Sequence, residues 1–186
     1  MILYALRHGH TDYNRLGLCN DDPRRPVHLT DLGRRQARQA AARLRQVPLH
    51  RVFSSELPRA LETAQIVAAP HGLTPLPCPE LNDIRSGFDG RPVTDYFAAV
   101  GADRLHLRVN GGESLLDYKA RVLPFLERLR HRPWQRVLLV AHEETLRVFQ
   151  AWHQGLPDQA LEGLSFGNCE LLEFELDPDS PNRPWL

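Results

Sequence analysis

The sequence predicts an α/β protein, a three-layer α/β/α sandwich around a mostly parallel central sheet. Three observations carry this. Short apolar runs at 2–6, 52–54 and 137–141 each lead toward a segment with helical period, and strands alternating with helices give a parallel sheet covered on both faces. No internal repeat, low-complexity stretch or linker interrupts the chain, so residues 1–186 read as one domain. The content of 42% hydrophobic and 25% charged residues is that of a folded chain. A chain of this size buries roughly 70% of its unfolded surface, so its core needs no disulfide or structural metal.

The elements follow in order. Ile2–Leu6 is an apolar run ending in Arg7, His8 and Gly9, the pattern of a buried strand that delivers polar residues at its carboxyl end. Thr30 caps a helix with the apolar face Leu32, Ala37, Ala40, Ala41 and Leu44, which Pro48 stops. Val52–Ser54 is a second strand. Pro58, tolerated in a first helical turn, opens a helix carried by Leu61, Ala64, Ile66 and Val67 as far as Pro70. Leu73–Cys78 is extended and broken by prolines, as an edge strand is. Residues 79–112 hold Gly87, Gly90, Gly101, Gly111 and Gly112 and read as a long insertion with one short helix near Val93–Val100. Ser114 and Asp117 have capping-box spacing for a helix that reaches His131 with a kink at Pro124. Val137–Ala141 is a buried strand ending in His142, and a helix through Leu146, Val148, Phe149 and Trp152 follows it. Cys169–Leu176 alternates as a last strand, and the chain beyond Asp177 is proline-rich and irregular.

Composition excludes several classes. The 23 basic and 23 acidic groups balance, which removes the electrostatic case for a nucleic-acid or anionic-membrane partner. From Pro157 onward there are seven carboxylates against Arg183 alone, which read as a solvated terminal face. Cys19, Cys78 and Cys169 are odd in number and lack CxxC spacing. They suggest neither a disulfide framework nor a zinc site, and point to a reducing, cytoplasmic setting. The first apolar run is too short for a signal peptide or a membrane span.

Ligands of such sheets bind beyond the carboxyl ends of the strands. His8 and His142 each follow a strand there, and Arg59 lies in the first helical turn after the second strand. Arg7, His8, Arg59 and His142 therefore converge on one crevice. Guanidinium groups beside helix amino termini trap a dianion, and phosphate is the usual one. An imidazole between two arginines stays neutral, because the cations oppose its protonation. Such an imidazole can attack phosphorus. His8 and His10 also form an HxH pair that suits two ligands of a metallohydrolase. No further His/Asp cluster accompanies the pair, and Arg7 and Arg59 would repel a divalent cation. No metal or other cofactor is expected, and the expected partner is a small phosphate ester.

RHGHTDYN at 7–14 resembles the RHGxTxxN signature of the histidine phosphatase superfamily, which contains cofactor-dependent phosphoglycerate mutases and many phosphatases. LTDLGRRQA at 29–37, SSELPRALETA at 54–64, GGESLLDYKARV at 111–122 and VAHEETLR at 140–147 agree with that family in order, so the resemblance covers nearly the whole chain. It implies a phosphoglycerate mutase-like fold. It also implies that His8 is a nucleophile forming a phosphohistidine that water hydrolyses, that Arg7, Arg59 and His142 line the phosphate pocket, and that Asn14 touches phosphate. The expected function is a metal-independent phosphomonoesterase acting on a small phosphorylated metabolite. An α-ribazole phosphate phosphatase or a mutase-type activity is the alternative within the family. A non-catalytic phosphate- or phosphoprotein-binding module is the alternative from another class.

The chain departs from the family pattern in three places. The leaving oxygen needs a proton, which the family usually supplies from a Glu; in ELNDIRSGFDG at 80–90 Asp83 falls at that place. Burial and a nearby dianion raise a carboxyl pKa enough to hold the proton, and Glu80 and Asp89 stand as alternatives. After the pocket histidine, where the family commonly has glycine, this chain has Glu143 and Glu144. A carboxylate about 4 Å from a phosphate oxygen costs about 4 kcal/mol at an effective dielectric of ~20. Either both point away, as acids favoured at a helix amino terminus do, or one serves as a contact to a cationic part of the substrate, as a backup proton donor, or to weaken the pocket. CNDDPRRPVH at 19–28 replaces a glycine-containing stretch. Arg24, Arg25, Arg85 and Arg91 then either contact an acidic substrate at the crevice mouth or solvate the surface.

Overall fold

The computed structural model describes residues 1–177. Its strands are β1 (Ile2–Arg7), β2 (Arg51–Ser54), β3 (Leu76–Pro77), β4 (Arg136–Ala141) and β5 (Leu171–Glu175). Its α-helices are α1 (Asp12–Leu16), α2 (Asp31–Leu44), α3 (Pro58–Ala68), α4 (Val93–Val100), α5 (Leu115–Arg130) and α6 (Glu143–Gln154). The sheet order is β3-β2-β4-β1-β5. Four strands run parallel, and β5 returns antiparallel beside β1.

Register brings the site together. Arg7 pairs with Ala141 and Ser54 with Val140, so β1, β2 and β4 end level with one another. His8, Ser55 and His142 leave the sheet at the same edge, one residue beyond those ends. Side chains of a strand alternate between faces, and β4 shows which helices cover each. Leu138 and Val140 pack with Ala40 and Leu44 of α2 and Ala64 and Val67 of α3. Val137, Leu139 and Ala141 pack with Tyr118, Val122 and Leu126 of α5 and Phe149 of α6. Two cores on opposite faces of one sheet make the α/β/α sandwich. Each leucine buried here contributes about 2 kcal/mol by its removal from water.

The insertion after β3 forms a third, smaller cluster in which Phe88, Tyr96 and Val100 pack with Cys19. It roofs the strand ends. Helix α5 carries the expected Ser114–Asp117 capping box and runs through Pro124 as one element. Three details differ from the sequence reading. Helix α1 was not expected: its five residues bury no side chain, so no apolar period betrays it, although Thr11 and Asn14 cap it reciprocally. Strand β3 is two residues rather than six, because Pro75 and Pro77 lack the N–H groups a longer ladder needs. Strand β5 starts at Leu171 rather than Cys169, whose φ of 56° is left-handed and whose N–H donates to the Arg7 carbonyl at 3.1 Å. The irregular tail expected after Asp177 lies outside the described residues, among which no helix is long and apolar enough to cross a membrane.

Candidate active site

The loop after β1 is held on three sides. The Gly9 N–H donates to Thr63 Oγ1 at 3.0 Å, and Thr63 donates to the Arg59 carbonyl at 2.7 Å, which ties the loop to α3. Gly33, in the first turn of α2, packs so closely that a Cβ there would lie 2.1 Å from the His10 carbonyl oxygen. Two bare backbones fix the height of the loop. Residues before β5 close the third side, where Asn168 Nδ2 donates to the His8 carbonyl at 3.1 Å.

His8 is 3% exposed. Its Nδ1 lies 2.8 Å from the Gly9 carbonyl oxygen, which only accepts, so Nδ1 carries the proton. Its Nε2 lies 3.0 Å from Arg59 Nε, which only donates, so Nε2 presents a bare lone pair. Burial, Arg59 and Arg7 together hold the ring's pKa well below the ordinary histidine value. Tautomer and charge thus agree on a neutral ring with its lone pair directed at the cationic cluster.

Arg59, buried in the first turn of α3, is the hub of that cluster. It donates to Asn20 Oδ1, to the Asn20 carbonyl at 3.0 Å, to Asp83 Oδ2 at 2.8 Å, and toward His142 Nδ1 at 3.2 Å. The tautomer of His142 follows from its neighbours. Asn82 Oδ1 accepts from the Glu56 N–H, and Asn82 Nδ2 donates to Glu56, which fixes the amide orientation. Ser55 therefore gives its hydrogen to Asn82 Oδ1 at 3.1 Å and accepts from His142 Nε2 at 2.9 Å. That leaves His142 Nδ1 unprotonated, 3.3 Å from Asp83 Oδ2. Arg59 Nη2 lies within donor reach of both atoms, and a proton on Asp83 would add a second link between them. Burial and the Glu144 charge also push the Asp83 pKa up to about 7 against the pull of Arg59. Burial and Arg59 keep His142 itself neutral by holding its pKa well below the ordinary value. Arg121 holds the loop that carries Asp83, donating to the carbonyls of Glu80, Asn82 and Asp83 at 2.9, 3.0 and 3.1 Å.

The two carboxylates that replace glycine after His142 are both paired. Glu143 lies 2.9 Å from Arg7, accepts from Arg147 at 2.7 Å, and takes the Phe166 N–H at 3.3 Å. Arg7 also donates to the Phe166 carbonyl. Glu144 accepts from Arg104 at 2.7 Å. Burial opposes its charge, but Arg104 and Arg147 outweigh burial and hold its pKa below the usual carboxylate value.

These groups open onto a cavity of about 270 Å³, whose walls include Arg7, His8, Arg59, Asp83, Glu143 and Glu144. Exposed Asn14 stands at its edge, its Oδ1 occupied by Thr11. Four of the predicted arginines lie elsewhere: Arg24 pairs with Asp22, Arg25 with Asp89, Arg85 with Glu113 and Arg91 with Asp95, and none lines the cavity. Of the three candidate acids, Glu80 pairs with Arg128 and Asp89 with Arg25, both off the cavity. Asp83 alone of the three lines the cavity and meets Arg59 and His142. His10 Nδ1 bonds Thr30 Oγ1, so the two rings of the HxH pair engage different neighbours. Sequence reasoning missed Asn20, Ser55, Asn82, Arg104, Arg121 and Arg147. Ser55 was findable, because it directly follows a predicted strand end; the others lie on loops and helices with no local signal.

Comparison with known proteins identifies the family. The chain is 30% identical to a probable phosphoglycerate mutase of Yersinia pestis, over 99% of this chain and 87% of that protein. The α-ribazole phosphatase of Shigella flexneri superposes with a TM-score of 0.86 at 28% identity, covering 95% of this chain and 91% of that one. A mycobacterial glucosyl-3-phosphoglycerate phosphatase gives 0.80 at 28% identity, covering 92% and 88%. Residues 3–183 match the family model described as histidine phosphatase superfamily (branch 1), and the chain belongs to that family.

Proposed function

We propose that the protein is a metal-independent phosphomonoesterase that works through a phosphohistidine. His8 Nε2 attacks phosphorus; the N–P bond forms as the bond to the leaving oxygen breaks, and Asp83 gives its proton to that oxygen. Water then attacks the phosphohistidine, giving its proton to the Asp83 carboxylate and releasing phosphate with His8 restored. Arg7 and Arg59, with Asn14, hold the phosphoryl oxygens, on which the transition state spreads its charge; fully buried His142, expected from the sequence to touch phosphate, does not line the cavity and gives its one N–H to Ser55, so it positions Arg59 and Asp83 instead. A phosphate oxygen competes with Nε2 for the Arg59 Nε–H, so binding frees the attacking lone pair. The observation that carries this reading is the bare Nε2 of a buried, neutral His8 beside a fixed guanidinium.

The test is trapping of labelled phosphohistidine from a phosphorylated-metabolite mixture in excess chelator. A label that forms and turns over in the wild type and is lost in His8→Ala supports the reading. Retention of phosphate without any labelled protein would make the chain a binding module, and loss of activity to the chelator would overturn metal independence. Discharge of the label to 3-phosphoglycerate in preference to water would favour the mutase alternative named for the Yersinia relative.

A further inference from the structure

Beyond the phosphate-facing groups the cavity has a second wall of different chemistry, made by Leu18, Val93, Tyr96 and Phe97 with Arg104 beside them. Arg104 is only 7% exposed. It donates to Glu144 at 2.7 Å and to the Tyr96 hydroxyl at 3.4 Å. Its guanidinium carbon lies 5.7 Å and 5.3 Å from the ring centres of Tyr96 and Phe97. Glu144 thus balances the charge of this arginine, and Glu144 and the Tyr96 hydroxyl take one donor each from its Nη2 and Nε.

The charge balance of the cavity points the same way. Among the described residues, four guanidinium groups (Arg7, Arg59, Arg104, Arg147) and four carboxyl groups (Asp21, Asp83, Glu143, Glu144) line it. The cavity is neutral with all of them ionised, and has one net positive charge when Asp83 holds its proton. A bound phosphate dianion makes it negative in either case. A second anionic group on the same molecule would enter against like charge and meet an apolar wall, where it would lose water without gaining a partner.

Resting on the phosphatase reading, we infer that Glu144 is a specificity-determining residue. By occupying Arg104 it keeps the leaving-group wall uncharged and aromatic. That wall fits phosphate monoesters of uncharged alcohols with an apolar or ring-bearing face and rejects esters that carry a carboxylate.

The experiment titrates two phosphonates of similar span, 2-phenylethylphosphonate and 3-phosphonopropionate, into the wild type, Glu144→Gln and Phe97→Ala by calorimetry. Phosphonates bind without turnover, so the answer does not depend on catalysis. The wild type prefers the phenyl compound by about tenfold or more. Glu144→Gln keeps the shape, releases the Arg104 charge, and narrows that preference by about tenfold through tighter binding of the carboxylate. Phe97→Ala, at a side chain 48% exposed and therefore tolerant of truncation, weakens only the phenyl compound. Equal binding of the two by the wild type, binding of neither, or a ratio unchanged in Glu144→Gln overturns the inference. If Glu144→Gln does not fold, Glu144→Asp, whose shorter carboxylate loosens its hold on Arg104, replaces it and narrows the ratio in the same direction; an unchanged ratio there overturns the inference. A phosphohistidine without the preference leaves the phosphatase reading standing and removes this one; the preference without a phosphohistidine does the reverse, leaving a selective binding wall.

Discussion

At the residue scale the proton inventory decides how the site behaves with pH. Asp83 loses its proton as pH rises through about 7, while His8 stays neutral to well below the ordinary histidine value. Hydrolysis of an alkyl phosphate is therefore expected to hold steady on the acid side and to fall as pH rises past 7. A bound dianion pushes the Asp83 pKa further up, so the limb in kcat lies above the limb in kcat/KM. Asp83→Asn is expected to cost about 10²- to 10⁴-fold on that substrate and to flatten the limb. It costs much less on p-nitrophenyl phosphate, whose leaving group needs no proton; an equal loss on both substrates would remove Asp83 as the acid. Arg7, His8 and His142 were legible because each adjoins a strand end, and Arg59 because it lies in the first turn of the helix that follows one. The Arg104–Glu144 pair was not, because 40 residues separate partners that only the fold brings within 2.7 Å.

At the scale of elements the site depends on how closely α2 meets the loop after β1. Gly33→Ala forces a methyl group against the His10 carbonyl 2.1 Å away, and backbone on both sides cannot yield cheaply. A loss of about 1–3 kcal/mol is expected, with a fall in kcat because the moved loop carries His8. Gly72→Ala is the control. It meets no atom within 4 Å but has a φ of +63°, so it costs about 1 kcal/mol of backbone strain and leaves kcat unchanged. Thermal melts and steady-state kinetics on both variants separate the two effects. Long elements with clear periods, such as α2, α3 and β4, were readable within a residue or two. Helix α1 and strand β3 were not, since one buries nothing and the other is made by pairing with Phe53 and Ser54 rather than by its own pattern.

At the scale of the molecule, adjacent residues of β4 test the two cores separately. Leu138→Ala opens the side of α2 and α3, and Leu139→Ala the side of α5 and α6. Each is expected to cost about 2–5 kcal/mol. If the sheet couples both cores into one cooperative unit, each variant lowers the midpoint of a single urea transition at unchanged slope; two separated transitions in either would show that the faces unfold independently. The antiparallel return of β5 has a consequence for biosynthesis. The segment leading into it places the Phe166 carbonyl on Arg7, Asn168 on the His8 carbonyl and Cys169 on Arg7, joining β1 to a segment made long after it. A ribosome-bound nascent chain lacking residues 166–170 has the nucleophile but not the clasp that seats it, so the reactive ring is assembled only after that late segment has emerged and paired back onto β1.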